Sequence, residues 1–342
     1  MRVGLLTGGG DAPGLNGIIE SAARVLLKND CEVVGICDGF EGVFKQKTIP
    51  LTLKHIENVH AQAGTLLGAS NRSGVEGREE EFRTQFAKLK LDGLIACGGD
   101  GTFSGLYRVC KDLNLIGVPK TIDNDLAGTE ITFGYDTACA SVAEAVDSLR
   151  FTAESHQRIF VVETMGRTAG WIALGGGLAS YADAILIPER PFERERLLEF
   201  IREKQKAGRR ELMIVVSEGA FAKGENPQVA FEVKGAPQKE RYGGVANQLA
   251  RWIEQETGWE ARHVVLGHLQ RSRHPTTTDR FLTLFMGVEA ANMALEKQWG
   301  QAVVYRQGRV TRAPLADLMH PARLVAHDHR WIHYAQSIGI FV

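Results

Sequence analysis

The sequence predicts an α/β protein with mainly parallel sheets flanked by helices. Short apolar runs rich in β-branched residues recur along the chain, and each ends in a polar or glycine-rich cluster. The runs are Val3–Thr7, Glu32–Cys37, Gly93–Cys97, Leu115–Val118, Arg158–Glu163, Ala184–Ile187, Leu212–Val216 and His263–Leu266. They do not alternate apolar with polar residues, which is typical of parallel strands buried on both faces. Between these runs lie stretches with apolar residues at helical spacing, such as Thr137–Leu149. We expect Asp136 or Thr137 to be the N-cap of that helix.

Glycine is enriched in this chain without proline. The 342 residues include 38 glycines and only 10 prolines, whereas average usage would give about 24 and about 17. With 44% hydrophobic and 24% charged residues, the composition is that of a globular protein and not of a disordered or fibrous one. Glycine therefore stands at particular positions where larger residues do not fit.

The overall charge and hydropathy of the sequence limit the kinds of binding partner and the cellular location that we expect. Forty basic and 41 acidic side chains give a net charge of −1, so no overall field favours nucleic acid or an anionic membrane. The five cysteines form no Cys-x-x-Cys pair, and their odd number indicates reduced thiols. No apolar run approaches the ~18 residues of a membrane span, and Gly4 comes too early for a signal peptide. We expect a cytoplasmic protein.

Glycine-rich clusters follow two of the predicted strands, where ligands of open α/β sheets bind. Gly8–Gly17 follows the first strand, and Cys97–Thr102 contains the third strand's end. Such glycines let backbone N–H groups approach phosphate oxygens, although a turn without a ligand is the alternative. Asp100 among them suits Mg²⁺, which prefers oxygen ligands. The absence of any Gly-Lys dipeptide excludes a P-loop NTPase.

Carboxylates and arginines follow or begin further strands. Asp123 and Asp125 lie two residues apart after Leu115–Val118, so in an extended segment they point to the same side. One could take a proton while the other helps to hold metal; a solvated turn is the alternative. The planar fork of arginine suits phosphate. The arginines at strand ends are Arg158, Arg167, Arg262 and Arg271.

Three other segments indicate structure more than chemistry. The charged stretch Glu189–Arg210 holds leucine and isoleucine at helical spacing, which predicts a helix with a solvated face. Lys223–Lys239 is polar and predicts a surface loop or hairpin. The C-terminal histidines fit no compact metal-ligand spacing and indicate a surface or interface helix. They are His320, His327, His329 and His333.

Taken in order, the motifs resemble those of the phosphofructokinase family. The matching segments are GGGDAPG at 8–14, GGDGT at 98–102, TIDND at 121–125, SHQR at 155–158, MGR at 165–167 and LGHLQR at 266–271. The match covers most of the first ~290 residues, and this combination in this order is highly specific. The resemblance implies a glycolytic 6-phosphofructokinase that transfers the γ-phosphoryl group of ATP to the 1-hydroxyl of fructose 6-phosphate.

The resemblance also implies a role for each matching residue. Asp123 would be the general base, with Thr121 and Arg167 beside it in catalysis. Asp100 and Asp125 would hold Mg²⁺. The donor would be bound by Gly10, Arg72, Ser73, Gly99, Asp100, Gly101, Thr102 and Lys120. The sugar phosphate would be bound by Thr121, Ile122, Asp123, Arg158, Met165, Gly166, Arg167, Glu218, Arg262, His268, Leu269, Gln270 and Arg271.

The family architecture implies two Rossmann-like lobes with the active site in the cleft at the strands' C-terminal ends. Residues 1–137 and 270–320 would form the donor lobe, and residues 138–269 and 321–342 the sugar-phosphate lobe. Arg158 and Arg262 would reach the active site of an adjacent subunit. The resemblance therefore implies a homodimer or homotetramer with shared active sites.

Two positions that discriminate donors in this family point in different directions. Pyrophosphate users carry aspartate at the position of Gly101 and lysine at the position of Lys120, whereas the best-known bacterial ATP users carry glycine at both. We expect ATP, because an aspartate would obstruct the nucleotide whereas a lysine only adds charge. Pyrophosphate is the alternative donor.

The sequence departs from the family pattern at one further segment and leaves two alternative functions open. Ser272–His274 stands where the family usually has two glycines, which adds bulk near the 6-phosphate. A catalytically silent sugar-phosphate sensor is conceivable, although the intact aspartates argue against it. A nucleotide oxidoreductase would need the dinucleotide fingerprint, which the sequence lacks.

Overall fold

Two separate sheets with parallel strands organise the chain. A computed structural model describes residues 1–70, 74–109, 113–232 and 240–342. The strands are β1 (Arg2–Thr7), β2 (Glu32–Ile36), β3 (Thr48–Pro50), β4 (Gly93–Gly98), β5 (Leu115–Pro119), β6 (Ile159–Thr164), β7 (Ala184–Leu186), β8 (Leu212–Ser217), β9 (Val229–Glu232), β10 (Glu240–Tyr242), β11 (Ala261–Val265), β12 (Gln301–Arg306) and β13 (Arg309–Pro314).

Helices connect and cover these strands. They are α1 (Leu15–Lys28), α2 (Phe40–Phe44), α3 (Leu53–Ile56), α4 (Glu79–Lys88), α5 (Asp100–Tyr107), α6 (Tyr135–His156), α7 (Trp171–Ala179), α8 (Arg194–Lys206), α9 (Val245–Thr257), α10 (Leu269–Ser272), α11 (Thr277–Leu295) and α12 (Arg330–Ser337). Short 3₁₀ turns occupy Val59–Ala61 and Leu315–Met319. This architecture confirms the predicted α/β class.

The larger sheet has the strand order β13-β12-β5-β4-β1-β2-β3. Strands β12, β5, β4, β1 and β2 are parallel, and antiparallel β13 and β3 close the two edges. The smaller sheet, β11-β6-β8-β7, is wholly parallel. The chain end returns to it, since Phe341 forms a parallel bridge with Ala184.

Successive side chains of one strand enter two different cores, which explains why the predicted strands do not alternate. In β1, Val3 and Leu5 pack into the cluster formed with α1 and α11. Leu6 points the other way, into the cluster formed with α2 and α4. Because both faces of the sheet are covered, every position favours an apolar residue.

All eight predicted strands form, with ends that differ by at most two residues. The predicted N-cap of the helix at Thr137–Leu149 is wrong. The helix begins at Tyr135, and Gly134, with a φ of 92°, is its N-cap. A distant carboxylate replaces a local capping side chain: Asp279 accepts hydrogen bonds from the backbone N–H groups of Gly134 and Thr137, both at 2.9 Å. Sequence spacing cannot reveal such a cap.

The hairpin of β12 and β13 was not predicted. Its two-residue turn, Gln307 and Gly308, has positive φ at both positions, 53° and 75°, as a type I′ turn requires. Asparagine or aspartate usually occupies the first of these positions, so Gln-Gly gives a weak signal.

Two other segments have the kind of structure that their sequences predict. The charged stretch forms α8, with Leu197 and Ile201 buried. The polar segment forms the antiparallel pair β9–β10, whose connection at 233–239 lies outside the described residues. Among the described helices, none is long and apolar enough to cross a membrane.

Candidate active site

Three neighbouring parallel strands, β1, β4 and β5, bring three of the predicted motifs to one edge of the larger sheet. The backbone N–H of Gly8 donates to the Cys97 carbonyl at 2.8 Å, and that of Lys120 donates to the Gly98 carbonyl at 2.8 Å. Because parallel strands end side by side, segments separated by more than 100 residues become neighbours. We call this the donor edge, defined by Gly8–Asp11, Gly98–Thr102 and Lys120–Asp125.

The glycines at Gly8 and Gly98 are required by close packing against one side chain. A Cβ on Gly8 would lie 2.6 Å from Thr102 Oγ1, and a Cβ on Gly98 would lie 2.3 Å from Thr102 Cβ. Thr102 is buried between them. Its side chain therefore has a packing role in the donor edge, and its backbone N–H donates to the Gly99 carbonyl at 3.0 Å.

Gly101 is different, because nothing in the described chain crowds it. A Cβ there meets no heavy atom of the described residues within 4 Å, and its φ is not positive. It is the second residue of α5, whose first turn leaves the N–H groups of Asp100 and Gly101 without intrahelical partners. A helix start of this kind favours an anion such as phosphate.

Two cations hold consecutive carbonyls of the first glycine loop. The buried ammonium of Lys120 donates to the carbonyl of Gly10, and the guanidinium of Arg271 donates to that of Asp11 at 2.6 Å. Burial and the nearby Arg271 lower the pKa of Lys120 to about 8. Both cations therefore help to shape the loop as well as to raise the local positive charge.

The buried carboxylate of Asp123 is the most unusual group at the donor edge. Asp123 is 5% exposed, and its Oδ1 has no hydrogen-bond partner among the described residues. Its backbone N–H donates to Thr121 Oγ1 at 3.1 Å. Asn124 follows with a φ of 53°, and its side-chain oxygen accepts from the Thr132 N–H at 3.0 Å. A fixed carboxylate with an unused acceptor suits proton abstraction.

Asp125 is a further acidic side chain at the donor edge. Burial and then the charge of Asp123 raise the pKa of Asp125 to about 6, with Asp100 acting in the same direction and Arg167 against it. The described residues contain no cluster of three or more His, Cys, Asp or Glu preformed to hold a metal. A few carboxylates of this kind fit Mg²⁺, which keeps several waters and binds substrate phosphates.

The smaller sheet brings a second set of motifs to its own carboxyl edge, which we call the sugar edge, defined by Met165–Arg167, Glu218 and Gly267–Arg271. Gly166, with a φ of 141°, accommodates a turn in which a Cβ would lie 2.4 Å from the Ala169 carbonyl. Arg167 has a φ of 54°, and its N–H donates to Glu218 Oε1 at 3.0 Å. Burial raises the pKa of Glu218 to about 7.

Not every residue predicted at the sugar site presents its side chain to open space. Ile122 and Gln270 are fully buried, so Ile122 offers only its backbone. Gln270 Nε2 donates to the Gly267 carbonyl at 3.1 Å and shapes its loop. By contrast, His268 and Leu269 are exposed, and Met165 is half-buried against the core.

Arg158 and Arg262 lie at the opposite end of the smaller sheet from the sugar edge. Arg158 directly precedes β6, and Arg262 in β11 is in register with Phe160. Both arginines form ion pairs with Glu260, and the distance between the Arg158 guanidinium and the Glu260 carboxylate is 2.8 Å. Since β6 has six residues, about 20 Å separates them from the sugar edge of their own chain. Arg72 and Ser73 lie outside the described residues.

One charged residue at the sugar edge was missed by sequence reasoning. Glu163 is buried in β6 and accepts hydrogen bonds from the N–H groups of Gly244 and Ala246, at 3.1 and 2.9 Å, at the start of α9. The signal was present, because a glutamate inside an otherwise apolar strand needs buried partners.

Comparison with known proteins agrees with this arrangement. The sequence pattern of the phosphofructokinase family matches residues 2–294. The chain is 40% identical to ATP-dependent 6-phosphofructokinase 3 of Streptomyces coelicolor, over 95% of this chain and 96% of that one. It is 43% identical to the pyrophosphate–fructose 6-phosphate 1-phosphotransferase of Amycolatopsis methanolica, over 93% and 94%.

A solved structure of phosphofructokinase from Saccharomyces cerevisiae superposes with a TM-score of 0.82 at 28% identity, covering 93% of this chain and 45% of the yeast chain. Family pattern, relatives and fold agree with the motifs at the two edges. The chain belongs to the phosphofructokinase family of enzymes.

Proposed function

We propose that this enzyme transfers the γ-phosphoryl group of ATP to the 1-hydroxyl of fructose 6-phosphate. The observation that carries the proposal is the Asp123 carboxylate, which is buried, lacks a partner for Oδ1 among the described residues and acts electrostatically on Asp125 and Glu218. One relative is named as an ATP-dependent 6-phosphofructokinase, and another is named as a pyrophosphate–fructose 6-phosphate 1-phosphotransferase.

Asp123 is the general base in this proposal. Its carboxylate takes the proton of the 1-hydroxyl as that oxygen bonds to the γ-phosphorus, and the bond from the γ-phosphorus to the bridging oxygen breaks to release ADP. Thr121 Oγ1 accepts the N–H of Asp123 and so helps to fix the base. Arg167 and Lys120 supply positive charge on either side of the transferring group.

Asp100 and Asp125 would hold Mg²⁺, which neutralises the charge of the donor phosphates when it is bound. The glycine loops and the start of α5 would bind those phosphates through backbone N–H groups, with Gly10, Gly99 and Gly101 leaving room for them. Arg72 and Ser73 belong to the same proposed donor site.

The sugar phosphate lies at the sugar edge in this proposal. Met165, Gly166, Arg167 and Glu218 would contact the sugar, while His268 and Arg271 would bind the 6-phosphate. Arg158 and Arg262, at the far end of the same sheet, would serve the 6-phosphate site of an adjacent subunit. The enzyme would then be a homo-oligomer with shared active sites.

Sheet membership supports the proposed lobes. The larger sheet uses strands from 2–119 and 301–314, which fall in the proposed donor lobe of 1–137 and 270–320. The smaller sheet uses strands from 159–265, and Phe341 adds to it. Those residues fall in the proposed sugar-phosphate lobe of 138–269 and 321–342.

The proposal of ATP rests on Gly101. Neither backbone conformation nor packing against described residues requires glycine there, so the space beside it is available to a nucleotide. The ammonium of Lys120 donates to the Gly10 carbonyl, so a structural role accounts for this lysine without pyrophosphate.

Pyrophosphate is the second candidate donor. Lys120 is the residue that favours it, and a relative at 43% identity is named for that donor. A coupled assay with fructose 6-phosphate and either donor in parallel tests the proposal. We expect turnover with ATP; turnover only with pyrophosphate would overturn the donor, and no turnover with either would overturn the enzymatic proposal in favour of a sensor.

A further inference from the structure

Arg323 holds the backbone between the catalytic aspartates, although it lies in the C-terminal segment outside every motif. Its guanidinium donates to the Asn124 carbonyl at 2.9 Å. Its own backbone N–H donates to the Asp125 carbonyl at 2.7 Å. Two consecutive carbonyls of the loop that carries Asp123 are therefore fixed by one residue almost 200 positions away in sequence.

Trp171 fixes Arg323 in turn. The guanidinium carbon lies 4.3 Å from the Trp171 ring centroid, within the range of a cation–π interaction. The indole N–H of Trp171 donates to the Arg323 carbonyl at 2.7 Å. Trp171 is buried at the start of α7, and the Tyr135 hydroxyl donates to its carbonyl at 3.0 Å.

This arrangement connects the two edges of the active site. Trp171 begins α7, four residues after the Met165–Arg167 turn of the sugar edge. Arg323 contacts the aspartate loop of the donor edge. Asn124 between the two aspartates has a φ of 53°, a left-handed conformation that asparagine tolerates.

We propose that Arg323 is a positioning residue for phosphoryl transfer, which holds the Asn124–Asp125 backbone so that Asp123 and Asp125 face the sugar edge. This inference rests on the proposed function of the two aspartates. It assigns a catalytic purpose to the C-terminal segment, where no family motif lies.

Both the shape and the charge of arginine suit this position. The planar guanidinium can stack on Trp171 while donating in its own plane to Asn124, which an ammonium cannot do. Burial lowers the pKa of Arg323, and the charge of Asp125 opposes that effect. An arginine remains protonated even so. Its guanidinium therefore keeps the donor that holds the Asn124 carbonyl.

The test compares Arg323→Met and Arg323→Lys with wild type, using Leu324→Ala at the neighbouring exposed position as the matched control. We expect Arg323→Met to lower kcat about 10- to 100-fold, because small misplacements of reacting groups have effects of this order. The KM for fructose 6-phosphate should change less than about threefold, since the loss concerns the aspartate loop. The control should retain wild-type kcat.

Rescue by the conservative variant, together with the division of the effect between kcat and KM, separates positioning from a general loss of structure. Arg323→Lys keeps a donor near the Asn124 carbonyl but cannot stack on Trp171 and donate together. We expect it to recover part of the kcat that Arg323→Met loses, while the KM for fructose 6-phosphate stays within about threefold of wild type in both variants.

Trp171→Phe provides a second variant in case Arg323→Met does not fold. It keeps a ring beneath the guanidinium but loses the hydrogen bond to Arg323, and we expect a smaller loss of kcat. A folded Arg323→Met enzyme with wild-type kcat would overturn the inference while leaving the proposed function intact. Wild-type enzyme without activity on fructose 6-phosphate would overturn the proposed function instead.

Discussion

The donor edge and the sugar edge lie at equivalent ends of two parallel sheets but are built on opposite principles. At the donor edge, glycines clear space, and its backbone carbonyls accept hydrogen bonds from Lys120 and from Arg271 of the sugar edge. At the sugar edge, positive φ at Gly166 and Arg167 presents side chains, and Glu218 accepts the N–H of Arg167. One edge offers backbone and room; the other offers specific side chains.

This contrast follows from what each ligand requires. A polyphosphate is bound well by backbone N–H groups at a helix start, so the best side chain beside it is often none. A sugar needs directional partners for its hydroxyls, so its site depends on fixed side chains. Substitutions should therefore act by adding atoms at the donor edge and by removing groups at the sugar edge.

The largest effect is expected where the two edges meet. Asp123→Asn removes the proposed base, and we expect kcat to fall about 10²- to 10⁴-fold with little change in either KM. Steady-state kinetics at saturating substrates measure the change. Asp30→Asn, at an exposed position with a φ of 55° that asparagine tolerates, is the matched control. A decrease in kcat below about tenfold would remove Asp123 from the role of base.

A substitution at the sugar edge should weaken the binding of the sugar phosphate and change the pH dependence of stability. Glu218→Gln keeps the shape of the side chain but weakens its hydrogen bonds, so we expect the KM for fructose 6-phosphate to rise about tenfold. The KM for ATP should not change. An equal rise in both would show that the contrast between the edges is wrong.

The same variant tests the raised pKa of Glu218. Because burial raises this pKa from its ordinary value of 4.5 to about 7, protonated Glu218 stabilises the native state below pH 4.5, and that contribution is lost as pH rises through 7. At pH 8 the ionised group costs at most about 3 kcal/mol, which the amide avoids. The Tm of the variant relative to wild type should thus be higher at pH 8 than at pH 5, whereas exposed Glu57→Gln should show no such trend.

The smallest effect on catalysis is expected from a methyl group at Gly101. Gly101→Ala should keep wild-type stability, because its Cβ meets no described atom within 4 Å. Gly98→Ala should lower the free energy of unfolding by about 1–3 kcal/mol, as overpacking does, because its Cβ would lie 2.3 Å from Thr102. Denaturant unfolding compares the two. Equal destabilisation would mean that both glycines serve packing.

The strands and their terminal motifs were predictable from sequence, because burial on both faces leaves continuous apolar runs and the proposed catalytic side chains follow them directly. Contacts that depend on distant backbone were not. Asp279 as the cap of α6 and Arg323 on the Asn124 carbonyl are examples. A single charged residue in a segment without a motif carries no signal about which carbonyl it will reach.

The measurement that tests the account most directly is the ratio of kcat/KM for ATP to that for pyrophosphate, in wild type and in Gly101→Asp. We predict a wild-type ratio above one. The variant should lose ATP activity about 100-fold or more, because a carboxylate placed against the nucleotide's phosphates costs several kcal/mol. A wild-type enzyme that uses only pyrophosphate, or a Gly101→Asp enzyme with undiminished use of ATP, would contradict the account.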